Sequence, residues 1–349
     1  MKLNRHNTVW KGYMTGKRLL AAFLGASLLL SGCGPAGGSQ GAFDASSEEN
    51  GKLKVAVTLF PYYDFVRQIA GDQVDLQMVI PAGMDSHSFE PTPADIRTIQ
   101  HADVLISNGG TMEHWLEDTL GALDTSNMTI VTMMDYVDTV EEEIVEGMED
   151  AGHDHDHAHS HAAADDHDHS HETPEEHAAH AQETDDHDHS DYVDHDGHEE
   201  AIEYDEHIWT SPVNAMKLVD VIGETLAEAD PAHAEVFRQG AADYKKELEE
   251  IDAGFREVSR NRKRNMIVMG DKFPFRYLAD EYQLDYRAAF SGCSSDTEPS
   301  AKTIAYLIDK VKEEQIPVVY YLELSSHRIS EIIGEETGAE PLLLHSCHN

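Results

Sequence analysis

The chain has 349 residues, and 67 Asp and Glu against 25 Lys and Arg give it a formal net charge of -42. This length accommodates roughly two domains of about 150 residues, and an apolar content of 40% excludes a generally disordered chain. The acidic excess argues against a nucleic-acid partner, because phosphate backbones are bound through Lys and Arg.

The first predicted element is an export signal over residues 1–33. Basic residues precede an apolar run from Leu19 to Leu30, which is too short to span a membrane as a stable helix. The run ends in Leu-Ser-Gly-Cys33, which resembles a bacterial lipobox, where cleavage precedes a Cys that carries diacylglycerol. An ordinary signal peptide with an incidental Cys is the alternative. Residues 34–51 are predicted to be a flexible tether.

Residues 52–229 are predicted to form a first lobe. Apolar, β-like runs alternate in it with segments of helical periodicity, and the predicted strands lie at 54–60, 74–80, 102–107 and 129–131. Strands that alternate with helices form a parallel sheet in an α/β domain.

A histidine-rich insertion, predicted over 141–203, interrupts this lobe. Residues 141–206 hold 26 Asp and Glu, no Lys or Arg, and 14 of the 23 His. Such a low-complexity segment is expected to be disordered without metal. We interpret it as a segment that binds zinc weakly at several sites, with an affinity that falls as the imidazoles become protonated. A solvated run of charged residues is the alternative. Its candidate auxiliary ligands are His153, His155, His157, His159, His161, His167, His169, His171, His187 and His189.

A long amphipathic helix is predicted over 230–260, with Asp230 as its N-cap and Pro231 at its first position. We expect it to be a rigid strut between two lobes. The alternation of strands and helices then returns in 261–349, the predicted second lobe. Its strands are expected at 265–269, 285–290, 317–322 and 342–344, and its helices at 273–282, 299–314 and 328–337.

Two histidines are candidate metal ligands. His87 follows the second predicted strand, at the edge of a parallel sheet where α/β folds bind ligands. His207 lies just before a helix that is predicted to start near Pro212. Each alone is equally well explained as a hydrogen-bonded loop residue, but together they predict imidazole ligands for a divalent metal such as zinc. Motifs typical of enzymes, such as HExxH and G-x-S-x-G, are absent, which weakly disfavours an enzyme.

The segments P-A-G-M-D-S-H-S-F-E-P-T-P around His87 and E-H-I-W-T-S-P around His207 resemble the metal-histidine motifs of a known family. They are similar to those of the zinc-binding solute-binding proteins of ABC importers, the ZnuA/AdcA-like members of the TroA-like class. The resemblance covers about residues 52–349 apart from the insertion. It implies two (β/α) lobes joined by a long helix, a metal site between them, and ligation by His87 and His207.

The second lobe departs from the family pattern. The usual third His or Glu ligand falls on Lys272, whose ammonium cannot ligate, and Asp271 could replace it only after a loop shift. The family's last acidic ligand falls best on His345. The predicted ligand set is therefore His87, His207 and His345, and the fourth position stays open between water, Cys293, Cys347 and His348.

The two remaining cysteines have two interpretations. An exported protein keeps disulfides, so Cys293 and Cys347 are expected either to form a bridge that pins two cleft loops or to ligate zinc as thiolates. Glu323, at another predicted strand end, is a candidate acceptor that orients an imidazole.

These features predict a lipid-anchored, monomeric solute-binding protein that captures Zn²⁺ outside the cell membrane and passes it to an ABC permease and ATPase. A manganese or iron carrier of the same class is the first alternative, although three His favour zinc over manganese. A metal-storage protein or adhesin and a metallohydrolase with an open zinc position are the others. The family usually continues into a final helix, so a truncated chain is a further expectation.

Overall fold

The computed structural model describes residue 43 and residues 51–148, 203–294 and 298–348. They form two α/β lobes, each built on a four-stranded parallel sheet. This confirms the fold class predicted from the alternation of strands and helices. Cys33 and all the candidate histidines of the insertion lie outside the described residues.

The first lobe carries its sheet in the order β2-β1-β3-β4. In chain order its elements are β1 (Leu53–Val57), α1 (Phe60–Ala70), β2 (Val74–Met78), α2 (Pro93–Gln100), β3 (Val104–Ser107), α3 (His114–Gly121), β4 (Thr129–Thr132) and α4 (Pro212–Ala229). Because the strands are parallel, all four carboxyl ends lie at one edge of the sheet, and the loops that follow them form one surface.

The second lobe repeats this topology with its sheet in the order β6-β5-β7-β8. Its elements are β5 (Met266–Phe273), α6 (Arg276–Tyr282), β6 (Asp285–Ser291), α7 (Ala301–Glu313), β7 (Val318–Tyr321), α8 (Arg328–Thr337) and β8 (Glu340–Leu343). Strand β5 continues to Phe273, so the helix predicted to begin there starts only at Arg276. The longer strand therefore includes Lys272, which lies between the predicted strand and the predicted helix.

The long helix α5 (Ala234–Asn261) joins the lobes. It begins later than predicted, because Asp230 does not cap it. The Asp230 carboxylate instead accepts from the Ala232 backbone and lies 2.6 Å from His233 Nδ1, which holds a turn between α4 and α5. The end of α5 contacts the second lobe through an ion pair of Arg256 with Glu281 at 2.6 Å.

The lobes differ in how their cores are built. One continuous cluster of buried apolar side chains fills the first lobe and extends to Phe237 and Leu248 of α5. The second lobe has two smaller clusters, one containing Val268 and the other Met269. Successive residues of a strand point to opposite faces of a sheet, so these clusters are the two faces of the second sheet.

The roots of the insertion pair with each other beside the lobe boundary. Glu141 and Tyr204 form an antiparallel bridge, and the Asp205 N–H donates to the carbonyl of Val140 at 3.0 Å. Tyr277 of the second lobe donates its hydroxyl to the Asp205 carbonyl at 2.6 Å. The chain therefore enters and leaves the insertion at one place, two residues before His207. None of the described helices is long and apolar enough to cross a membrane.

Candidate metal centre

His87 lies at the carboxyl edge of the first sheet, in a single 3₁₀ turn over Ser86–Ser88 that follows β2. The turn forms because Asp85 Oδ1 accepts the His87 backbone N–H at 3.1 Å, a side-chain-to-backbone bond typical of Asp before a turn. The His87 Nε2 atom is buried and has no hydrogen-bond partner among the described residues. Since buried polar atoms are nearly always paired, this nitrogen is available as a ligand.

His207 faces His87 and is almost fully buried, with 2% of its surface exposed. Asp205 Oδ1 lies 2.8 Å from the backbone nitrogen of His207 and 3.2 Å from its ring Nδ1. A carboxylate at this distance favours the tautomer that carries its proton on Nδ1, which leaves the Nε2 lone pair free. Metal-ligating histidines are commonly oriented in this way.

The close fit around His207 depends on Gly292 of the second lobe. A Cβ atom added at this glycine would lie 3.0 Å from Asp205 Oδ2 and 3.2 Å from His207 Cε1. A larger residue would therefore force its neighbours, the Asp205–His207 pair among them, to shift by a few tenths of an ångström.

His348 is the third imidazole, and it reaches the site from the segment that follows β8. Trp209 Nε1 donates to the Ser346 carbonyl at 2.9 Å, and Ser346 donates its hydroxyl to Glu323 at 2.8 Å. The His348 N–H donates to Ser346 Oγ at 3.3 Å. Glu323 therefore helps to position His348 by holding the backbone at Ser346. Trp209 holds the same backbone from the first lobe.

The three rings surround one point. Ring centroids are 6.1 Å apart for His87 and His207, 6.3 Å for His87 and His348, and 5.5 Å for His207 and His348. His348 Nε2, however, lies 2.8 Å from Ser86 Oγ. Within the described ranges, no three His, Cys, Asp or Glu side chains gather their donor atoms closely enough to hold an ion. The three rings are therefore neighbours, but their donor nitrogens do not converge on one point.

Burial favours the neutral form of the His87 and His348 imidazoles. Burial, together with the smaller contribution of the neighbouring His207, lowers the pKa of His87 to about 4. Burial likewise holds the pKa of His348 well below its ordinary value, with smaller contributions from His207 and His87. Only a neutral imidazole has a lone pair for a metal, so the site favours the ligating form at neutral pH.

Lys272 and Asp271 occupy the position of the third ligand expected from the family pattern. The pairing of β5 with β6 is irregular between Met269 and Lys272. Asp271 accepts from the Leu322 N–H at 3.0 Å and from the Ser325 hydroxyl, so it is engaged in holding the loop after β7. Asp271 and Lys272 both line a cavity of about 600 Å³ together with His87, His207 and His348.

The predicted ligand His345 is not brought to this cluster. It is exposed and lines a different, mainly apolar cavity of about 770 Å³ with Phe65 and Tyr244. The structure places His348, three residues later, beside His87 and His207 instead. The difference arises because Ser346 is the anchored residue, and the chain turns into the cleft only after it.

Of the two interpretations of the cysteines, the bridge is not formed in this structure, in which Cys293 and Cys347 are both free thiols. Cys347 has a left-handed backbone with φ 55° and lines the apolar cavity beside Tyr244. Cys293 lies two residues after the end of β6 and donates its N–H to Glu142 at 2.9 Å. The cysteines therefore face different environments. Burial and the neighbouring Asp205 and Glu142 raise the pKa of the Cys293 thiol, which disfavours a thiolate ligand.

The sequence contained a signal for the residues that support the ligands. Both first-lobe histidines stand in an Asp-x-His sequence, and His348 stands in Ser346-x-His348. In all three cases the first side chain accepts the N–H of the histidine two residues later. This repeated pattern identifies Asp85, Asp205 and Ser346 as positioning residues, none of which was predicted from sequence.

A family model described as "ZnuA: Zinc-uptake complex component A periplasmic" matches residues 55–349. The zinc-binding protein AdcA of Streptococcus pyogenes serotype M6 is 32% identical over 294 residues, or 84% of this chain and 50% of that protein. The high-affinity zinc uptake system protein ZnuA of Bacillus subtilis (strain 168) is 29% identical over 319 residues, or 91% of this chain and 85% of that protein. The chain thus spans about half the length of the AdcA relatives it matches.

Two solved structures have the same fold. The metal-dependent lipoprotein YcdH from Bacillus subtilis matches with a TM-score of 0.61 and 25% identity, covering 85% of this chain and 89% of that one. Zn(II)-bound AdcA from Streptococcus pneumoniae matches with a TM-score of 0.60 and 26% identity, covering 86% and 52%. The resemblance noted in the sequence is confirmed: this chain belongs to the ZnuA family, the periplasmic component A of zinc-uptake complexes.

Proposed function

We propose that this protein captures Zn²⁺ outside the cytoplasm, in the cleft between its lobes, and delivers it to an ABC permease and its ATPase. The observation that carries this proposal is the cluster of three imidazoles, one of which has a buried and unpartnered Nε2 atom. The names of the AdcA and ZnuA relatives and the Zn(II)-bound AdcA structure support the choice of metal.

The proposed ligands are His87, His207 and His348. Zinc is bound in proteins by three or four N, S or O donors in tetrahedral geometry, and three neutral imidazoles match this preference. His348 would release Ser86 Oγ and rotate toward the ion, while Asp205 keeps the His207 ring in place. Manganese prefers more carboxylate oxygen, and the cleft carboxylates of Asp271 and Glu323 are already engaged in hydrogen bonds.

The proposed ligands come from both lobes, so a change in the distance between the lobes would allow one site both to hold and to release the ion. His87 and His207 belong to the first lobe, whereas Gly292 packs against His207 from the second. His348 is held from both sides, by Trp209 and by Glu323 through Ser346. A small separation of the lobes would withdraw His348 and leave two ligands, which lowers affinity and permits transfer.

The location also remains a proposal. Cys33 would carry the lipid that anchors the protein outside the cell membrane, and the AdcA relative of Streptococcus pneumoniae R6 is named a zinc-binding lipoprotein. The histidines of the insertion would collect zinc near the cleft, because the roots of the insertion lie two residues before His207.

Uptake of radioactive zinc tests the proposal directly. Cells that lack the gene should take up zinc more slowly from zinc-poor medium, and the wild-type gene should restore the rate. The His207→Ala variant should not restore it, whereas the surface variant His101→Ala should. Equal uptake with and without the gene would contradict the proposed function.

A further inference from the structure

We propose that Glu142 is a positioning residue for zinc, which holds a loop of the second lobe against His207 and thereby slows release of the ion. Glu142 belongs to residues 140–148, which we call the strap. The strap leads from the first lobe toward the histidines of the insertion and lies on the second lobe. This inference rests on the proposed function and names a determinant of release at the same site.

The strap begins at a hydroxyl group of the second lobe. The Tyr277 hydroxyl oxygen, on α6, accepts the Val140 N–H at 3.3 Å and donates to the Asp205 carbonyl at 2.6 Å. Val140 and Asp205 also pair with each other, since the Asp205 N–H donates to the Val140 carbonyl at 3.0 Å. One tyrosine therefore joins the segments before and after the insertion to the second lobe.

The rest of the strap packs on the second lobe along its length. Val145 and Met148 pack against one of the two apolar clusters of that lobe, and the Tyr306 hydroxyl donates to Glu146 at 3.1 Å. Gly147 has φ 91°, and a side chain at this position would collide with the Tyr306 ring. The strap is thus part of the packed surface of the second lobe, although it follows the first lobe in sequence.

Glu142 connects the strap to the candidate metal centre. Its Oε1 atom accepts the Cys293 N–H at 2.9 Å. The residue before this cysteine is Gly292, where an added Cβ would lie 3.0 Å from Asp205 Oδ2 and 3.2 Å from His207 Cε1. The N–H that Glu142 holds is therefore next to the residue of the second lobe that packs against the His207 ring.

The effect of this bond should appear mainly in the rate of release. A carboxylate that accepts a backbone N–H forms one of the stronger kinds of hydrogen bond. Without it, the Cys293 N–H loses its partner, and the loop at Gly292 is free to move away from His207. Release requires this contact to loosen, whereas capture begins from an open cleft. Differences in affinity between related complexes likewise lie mostly in the dissociation rate.

Stopped-flow release of zinc tests the inference on the full chain, loaded with one equivalent of zinc and mixed with excess chromophoric chelator. Glu142→Ala should speed the slow phase about tenfold or more, the loss expected for a hydrogen bond to a charged acceptor. The association rate, followed by fluorescence of Trp209 beside His207, should stay near the wild-type value. Glu142→Gln keeps an acceptor oxygen without the charge and should recover most of the difference. Glu141→Ala removes the same charge from an exposed residue of the strap and should release zinc as the wild type does.

Release at the wild-type rate in Glu142→Ala, with the slow phase lost in His207→Ala, would overturn this inference alone. Equal acceleration by Glu142→Gln or Glu141→Ala would assign the effect to the charge of the strap and would also overturn it. A slow phase that persists in His207→Ala would overturn the proposed cleft site, and this inference with it.

Discussion

The two lobes share one topology but bring different chemistry to the cleft between them. In the first lobe, the loops at the carboxyl edge of the sheet present His87 and His207, each held by an Asp two residues earlier. In the second lobe, the corresponding edge presents Lys272 at the end of β5 and Cys293 after β6. Its only imidazole in the cleft, among the described residues, comes from His348 after the last strand.

The shared topology places the loops of both lobes at the carboxyl edge of a sheet. The sequence of each loop then determines which side chains reach the cleft. In the first lobe, Asp205 lies against the His207 ring, and the neighbouring Ile208 and Phe89 belong to one continuous apolar core. The second lobe supplies a cation and a histidine whose Nε2 lies beside Ser86. We therefore expect the first lobe to supply most of the zinc affinity, and the second lobe to tune it.

The largest expected effect is the loss of a first-lobe ligand. His207→Ala should weaken tight zinc binding by well over a hundredfold, more than the roughly 10–100-fold that loss of a supporting partner costs. Competition with a chromophoric zinc chelator measures this change. His101→Ala, an exposed histidine of the same lobe, is the matched control. Tight binding that survives in His207→Ala would mean that the first lobe is not the principal ligand source.

The next largest effect separates two histidines of the same terminal segment. His348→Ala should weaken zinc binding by at least about tenfold, because it removes one of three imidazoles, whereas His345→Ala should leave it near the wild-type value. The same chelator competition applies to both. The reverse order of effects would restore His345 as the second-lobe ligand and reject the geometry described above.

A smaller effect is expected when the support of a first-lobe ligand is weakened but the ligand stays. Asp205→Asn removes the carboxylate charge beside His207 Nδ1, and such changes typically cost 10–100-fold in metal affinity. We expect the lower part of this range, since an amide oxygen can still accept the proton. An unchanged affinity, with zinc release no faster in stopped-flow measurements, would show that Asp205 does not orient the ring.

The smallest effect concerns pH. Protons compete with zinc only where they bind the ligand, and the pKa of His87 is lowered to about 4 by burial. Between pH 7 and pH 5.5 tight binding should therefore change little, whereas a histidine of ordinary pKa, about 6.5, loses most of its neutral form. Titrations should thus show weak sites that disappear over this range and one tight site that persists. Loss of the tight site together with the weak ones would contradict the role assigned to burial.

The sequence predicted the fold well, because alternating strands and helices leave few α/β topologies. It also predicted that His87 and His207 belong to one site, since each lies within a recognisable motif, and the structure places their rings 6.1 Å apart. It did not distinguish His345 from His348, because the anchoring of Ser346 by Glu323 and Trp209 joins segments far apart in the chain. The environments of the two cysteines depend in the same way on tertiary contacts, so spacing alone left the bridge and the free thiols both open.

Zinc titration of the chain that lacks residues 150–199 tests the central claim most directly, because it removes the histidines of the insertion and keeps the bridge between Glu141 and Tyr204. We predict one tight zinc per molecule, with zinc preferred over manganese in competition. Loss of all tight binding in this deletion would contradict the cleft site and would place zinc binding in the insertion.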